Sequence, residues 1–128
     1  HKTDFTLTFR NLCTLVMDNN ESDFQKFRNH FSNSKDINNW LSNWKSRLSF
    51  EKRNKDNIFT FIKDINPAYI PRNHRIEEMI NKALEGDYSL FNLLNEILST
   101  PFNDQKEYQE YQVPPMENQI VKQTFCGT

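Results

Sequence analysis

The chain has 128 residues, 36% of them apolar, and a mean hydropathy of −0.84. That length suits one modest core, and 11 Phe and 2 Trp can fill it, which argues against whole-chain disorder. The 16 basic and 17 acidic residues are mixed along the chain to a net charge of −1, leaving no basic footprint for nucleic acid and no polybasic membrane patch.

Only 2 Gly occur, which disfavours a sheet built on tight hairpins and leaves no phosphate-cradling loop. No apolar run approaches the roughly 20 residues a spanning helix needs, and no signal pattern opens the chain. A soluble, cytoplasmic protein is expected. The chain opens on His1 rather than Met, so it is read as part of a longer protein.

Asp4 can cap a first helix, since its carboxylate can accept orphan N–H groups of the first turn. Phe5, Phe9, Leu12 and Val16 then share one face, with Cys13 and Met17 beside it. Ser22 and Gln25 suggest a capping box for a short second helix carrying Phe24, Phe27 and Phe31. Asp36 can cap a third helix. Its stripe of Ile37, Trp40, Leu41, Trp44 and Leu48 is the best amphipathic pattern in the chain, and core packing is the expected role of both Trp.

The charge run from Glu51 to Asn57 reads as a solvated bend or an exposed helix start. Ile58, Phe61, Ile62 and Ile65 form a fourth helical face. Pro67 and Pro71 cannot both lie inside one helix, because each lacks an N–H and crowds the preceding turn. Asn66, before Pro67, is pushed out of the helical region. An ordered corner is predicted there.

A fifth helix carries Ile76, Met79, Ile80, Ala83 and Leu84, with Gly86 as a left-handed terminator. Asp87 or Ser89 caps a sixth, with Leu90, Leu94, Ile97 and Leu98 inward. So short a link predicts a helical hairpin. After Pro101 the helical period ends. Tyr108, Tyr111, Val113, Ile120, Val121 and Phe125 are spaced as anchors of a strap laid on a surface, with a mobile tail as the alternative. The reading is therefore all-α: about six helices packed as hairpins over residues 1–101, and an irregular C-terminal strap over 102–128.

No residue set forms a self-contained catalytic constellation. His1, His30 and His74 have no metal-ligand spacing with Cys13 or Cys126, and no CxxC, HExxH or carboxylate cluster occurs. Cys13 reads as a small buried hydrophobe. Cys126, beside Gly127, is either an inert thiol or an accessible, redox-active one; a bond to Cys13 is conceivable, but sequence cannot supply the proximity. Arg72, His74 and Arg75 crowd a helix N-terminus, where each positive charge is unfavourable by roughly 0.3–1 kcal/mol. Either Glu77 and Glu78 pair with them, or this end faces a carboxylate or phosphate. In the second case Arg72 could make a bidentate contact and Asn73 could cap the helix.

Three blocks, in this order, carry a family resemblance. They are Asp4-Phe5-Thr6 with Phe9-Arg10, then Trp40-Leu41-Ser42-Asn43-Trp44 with Arg47-Leu48, and most specifically Asn66-Pro67-Ala68-Tyr69-Ile70-Pro71-Arg72-Asn73-His74. Gly86-Asp87-Tyr88-Ser89, Pro101-Phe102 and Thr124-Phe125-Cys126-Gly127-Thr128 reinforce them. Together they resemble the carboxyl-terminal portion of the selenoprotein O family (SelO/YdiU), pseudokinases regarded as protein adenylyltransferases.

The resemblance implies a kinase-like parent that moves AMP from ATP onto Ser, Thr or Tyr hydroxyls of proteins, with Mg2+ or Mn2+. The nucleotide and metal residues of that family lie upstream, and none carries onto this chain. The chain itself is expected to be non-catalytic and without a cofactor. Its implied partners are the upstream kinase-like domain and, through it, protein substrates, with no nucleic acid and no membrane. Cys126 stands where the family's selenocysteine or cysteine stands. A redox role is therefore implied, by pairing with a cysteine of the kinase-like domain. Arg72, Asn73 and His74 are the candidate interdomain contact. The rival readings are a free-standing helical interaction module and, needing a ligand cluster the sequence lacks, a small metalloenzyme.

Overall fold

A computed structural model describes residues 3–17, 21–31 and 34–123. Among these residues the fold is all-α, with six helices and no strand: α1 (Phe5–Met17), α2 (Glu21–Arg28), α3 (Ser34–Ser49), α4 (Lys55–Ile65), α5 (Asn73–Leu84) and α6 (Ser89–Ser99). Two 3-10 segments, Lys106–Gln112 and Glu117–Gln119, follow. The chain divides into two units, His1–Pro67 and Ala68–Thr128, and the boundary falls inside the predicted corner.

In the first unit, Asp4 caps α1 as its sequence suggests: Oδ1 accepts the Leu7 N–H at 2.8 Å. The buried residues of α1 are Leu12, Cys13, Leu15 and Val16. Phe5 and Phe9, on the predicted face, stay exposed and pack on each other with ring centroids 4.6 Å apart. Leu12, Leu15, Phe24, Phe27, Ile37 and Leu41 form the core, with Phe31 and Trp44 against it. Trp44 is half-buried, whereas Trp40 is 43% exposed and lies parallel to Trp44. The Lys45 ammonium sits 3.4 Å from the Phe24 ring centre, a cation–π contact over a core residue.

Two helices begin earlier than the sequence suggests. Helix α2 starts at Glu21 and α3 at Ser34, which puts Ser22 and Asp36 inside first turns. Asp36 is therefore not the cap, but an acid in the first turn still suits the positive end of the helix dipole. The Glu51–Asn57 run contains a true start: Asn54 Oδ1 accepts the Asn57 N–H at 2.8 Å and caps α4.

Helix α1 packs on α4 as well as on α2. Arg10 fixes that pairing. Its Nη1 donates to Lys63 O at 2.9 Å and to Asn66 O at 3.0 Å. These carbonyls lie at the negative end of α4, where the last C=O groups have no intrahelical donor and a cation is favoured. Arg10→Ala is expected to destabilise the first unit by about 1.5–3 kcal/mol, the range for a hydrogen bond to a charged group, and nearer the lower figure because Arg10 is only half-buried. Urea unfolding measures it; a loss below ~0.5 kcal/mol would put Arg10 among ordinary surface residues.

At the end of the first unit, Asn66 has extended backbone (φ −114, ψ 110), as a residue before proline should. The second unit begins at Ala68. The N–H groups of Ala68 and Tyr69 both donate to Pro101 O, at 2.8 and 3.1 Å. Pro101, which ends the helical pattern in sequence, thus receives the corner. Helices α5 and α6 pack on each other across a turn where Gly86 has φ +88, a left-handed conformation that β-carbon residues rarely adopt. Leu90, Leu94 and Ile97 are buried as expected. Asp87 Oδ1 accepts the Ser89 N–H at 2.9 Å.

Ala68, Tyr69 and Ile97 form a second core, with Leu93, Leu98, Tyr108 and Tyr111 packed against it. The two tyrosines belong to the first 3-10 segment. Gln105 ties that segment to α6 through bonds from Nε2 to Ile97 O (2.9 Å) and Thr100 O (3.1 Å). Val113 and Ile120 stay more than half exposed.

Candidate functional site

The N-terminus of α5 is built by the Pro71–Arg72–Asn73–His74 run. Pro71 stops any helix from entering from upstream. Arg72 takes extended backbone (φ −72, ψ 131) and is the N-cap, though its side chain makes no capping bond. Asn73, the residue expected to cap, is instead the first helical residue and is exposed. The Arg72 and His74 side chains are buried, at 7% and 9% exposure.

Three basic residues at the positive end of a helix pose a conflict, and the structure shows how two of them escape it. Arg75 is compensated locally. Nη1 lies 2.9 Å from Glu78 Oε2, Nη2 lies 3.3 Å from Glu110 O and 3.7 Å from Glu110 Oε2, and the guanidinium sits 4.9 Å over the Tyr111 ring. His74 avoids the conflict by staying neutral. Burial depresses its pKa below the ordinary histidine value, and the Arg75 and Arg72 charges depress it further, with Glu78 opposing. Its Nδ1, shielded from solvent, has no hydrogen-bond partner among the described residues. Arg72 is engaged in the interior rather than displayed on the surface.

Two hollows meet at His74. One, of about 270 Å³, is walled by Arg72, Asn73 and His74 and, from the strap, by Pro115, Gln119 and Ile120. The other, of about 530 Å³, runs from His74 along Glu77, Glu78 and Asn81 to the strap at Asn118 and Lys122. The three residues singled out from the sequence as a contact therefore do line one cavity. Of the strap residues opposite them, Ile120 reads from the sequence only as a packing anchor, and Gln119 carries no sequence signal.

A separate apolar hollow, of about 270 Å³, lies in the first unit between Phe9, Leu12, Phe27, Phe31, Ile37 and Trp40. Phe9 and Trp40 in its wall are exposed, and the exposed Phe5 packs on Phe9, an apolar patch of the kind that marks an interaction surface.

Cys126 lies outside the described residues. Cys13 is buried in α1, its thiol 3.8 Å from Phe9 O. Among the described residues no group of three His, Cys, Asp or Glu could hold a metal ion, and no helix is long and apolar enough to cross a membrane.

The family profile described as "Protein adenylyltransferase SelO" matches residues 1–99. Three relatives carry the name protein nucleotidyltransferase YdiU. The one from Rhizobium etli (strain CIAT 652) is 42% identical over 126 residues, covering 98% of this chain and 25% of the relative. That from Nitrobacter winogradskyi is 42% identical over 125 residues, covering 98% and 24%. That from Ruegeria pomeroyi is 40% identical over 125 residues, again 98% and 24%. The chain thus spans about a quarter of the length of the curated relatives it matches. With the profile covering most of its length, the chain belongs to the protein adenylyltransferase SelO family.

Proposed function

We propose that this chain is the helical, non-catalytic part of a larger protein that transfers AMP from ATP to Ser, Thr or Tyr hydroxyls of other proteins. One observation carries the reading: nearly the whole chain matches proteins named nucleotidyltransferases that are about four times its length. The nucleotide, and the Mg2+ or Mn2+ that accompanies it, belong on this reading to the kinase-like remainder. Among the described residues of this chain no donor set fits a metal ion.

The role of these helices is then support. The apolar patch around Phe5, Phe9 and Trp40 favours docking on that remainder, since exposed aromatics of this size are costly to leave in water. The same patch would serve a free-standing interaction module. The two readings separate on the native polypeptide, which carries a kinase-like domain under the first and none under the second.

A regulatory thiol completes the proposal. Cys126 pairs with a cysteine of the kinase-like remainder: two thiols lose two protons and two electrons to glutathione disulfide, giving one protein disulfide and two molecules of glutathione. The test is AMP transfer by the full-length protein across a series of glutathione redox ratios. The wild-type rate should change with the ratio, and Cys126→Ser should make it indifferent. A wild-type rate that ignores the ratio, or a serine variant that still follows it, removes the thiol from the mechanism.

A further inference from the structure

We infer that the hollow at the N-terminus of α5, between Arg72, Asn73 and His74 on the helix and Gln119 and Ile120 on the strap, is a binding site for an oxyanion: a carboxylate or a phosphate group. The inference stands apart from the AMP-transfer reading. It concerns residues of the second unit alone and is tested without nucleotide chemistry, so either can fail without the other.

Three observations converge. The first is the helix itself. Helix α5 has 12 residues; of its first N–H groups, that of Arg75 donates to Arg72 O at 2.9 Å, while those of Asn73 and His74, two residues that line the hollow, have no intrahelical acceptor. They carry the positive end of the dipole, about +0.5 of a charge. The Arg72 N-cap supplies no side-chain acceptor to quench them.

The second observation is His74. Its ring is more than nine-tenths buried in the wall of the hollow, and Nδ1 has no hydrogen-bond partner among the described residues. Buried polar atoms are normally satisfied, and one that is not points to a missing group. An oxyanion in the hollow would offer the acceptor that a ring N–H needs.

The third is the sign of the wall. Among the described residues no acidic side chain lines this hollow, and Arg72 brings to its wall a guanidinium whose geometry matches carboxylate and phosphate oxygens. The adjoining cavity is different, because Glu77 and Glu78 line it alongside Lys122. An anion is therefore directed to the smaller hollow, whose volume of about 270 Å³ suits a single charged group.

Protonation couples to this. The charged groups around His74 are Arg72 and Arg75 on its own helix, Glu77 and Glu78 one turn on, and Lys122 from the strap. A bound anion adds negative charge, favours the imidazolium and raises the His74 pKa. By linkage, the anion binds more tightly as the pH is lowered toward that pKa.

The experiment is an NMR titration of the His74 ring in the 128-residue chain, with inorganic phosphate in one arm and acetate in the other, at matched ionic strength. Saturable movement of the His74 signals and a raised His74 pKa are expected in at least one arm. A response to phosphate alone assigns a phosphate ligand, and a response to acetate assigns a carboxylate. Arg72→Gln should weaken binding about tenfold or more, the loss of one charge-assisted hydrogen bond. Should that variant not fold, thermal unfolding of the wild type replaces it: the binding anion raises the melting temperature saturably, and chloride does not. His74 signals that respond no more to either oxyanion than to sodium chloride mean an adventitious ion only, and overturn the site.

Discussion

Tyr69→Ala is expected to unfold the second unit at ordinary temperature, or to leave it barely folded. The side chain is 1% exposed and sits in the cluster with Ala68 and Ile97, against Leu93, Leu98, Tyr108 and Tyr111. Truncating a buried ring of this size costs about 3–5 kcal/mol through lost burial and the cavity left behind. Whole domains are stable by only about 5–15 kcal/mol, so one substitution removes a large share. Tyr69 has a second task. Its hydroxyl donates to Gln105 O, and Gln105 in turn holds the end of α6, so the ring pins the strap to the helices. Tyr69→Phe separates the two effects, since losing only the hydroxyl should cost about 0.5–1.5 kcal/mol. Urea unfolding followed by far-UV circular dichroism reads both. A loss under ~1 kcal/mol for the alanine variant would mean that the corner does not organise the second unit.

Phe24→Ala is the matching expectation for the first unit. Phe24 is 1% exposed among Leu12, Leu15, Phe27, Ile37 and Leu41, and Lys45 lies over its ring. The ring's burial is worth about 3–5 kcal/mol, and the cation–π contact adds roughly 0.5–1 kcal/mol at a site this close to solvent. Phe5→Ala is the internal control. Phe5 is 76% exposed, so its truncation should stay within about 0.5 kcal/mol of wild type in this chain. Equal losses at the two positions would contradict the packing described, because Phe5 on α1 would then be as buried as Phe24 on α2.

That contrast also shows where sequence reading stops. Periodicity identifies an apolar face but not whether a neighbour covers it. Leu90, Leu94 and Ile97 were legible because α5 and the strap supply their cover within the chain. Phe5, Phe9 and Leu84 obey the same spacing and stay exposed. The corner at Asn66–Pro67 and the turn at Gly86 were legible because proline and glycine act through local backbone sterics. Helix starts slipped at Ser22, Asp36 and Asn73, since residues of capping type also stand inside first turns, where an acid such as Asp36 still gains from the helix dipole.

The candidate site was half legible. Arg72, Asn73 and His74 are adjacent in sequence, and charge at a helix start is a conflict visible without coordinates. Its resolution was visible only in part. Glu78, three residues on, pairs with Arg75 as the sequence allows, but Glu110 and Tyr111, which also meet Arg75, are some 35 residues away in sequence, and nothing local marks Gln119 as the facing wall. Arg10 likewise read only as part of a family block, because its carbonyl partners lie 53 and 56 residues on.

The central claim is that this chain supports a nucleotide-transferring remainder and does not transfer nucleotide itself. The direct measurement is incorporation of labelled AMP from ATP into protein, in the presence of Mg2+ or Mn2+, by the 128-residue chain and by the full-length protein side by side. The account predicts label with the full-length protein and none with the isolated chain. Label transferred by the isolated chain would contradict it.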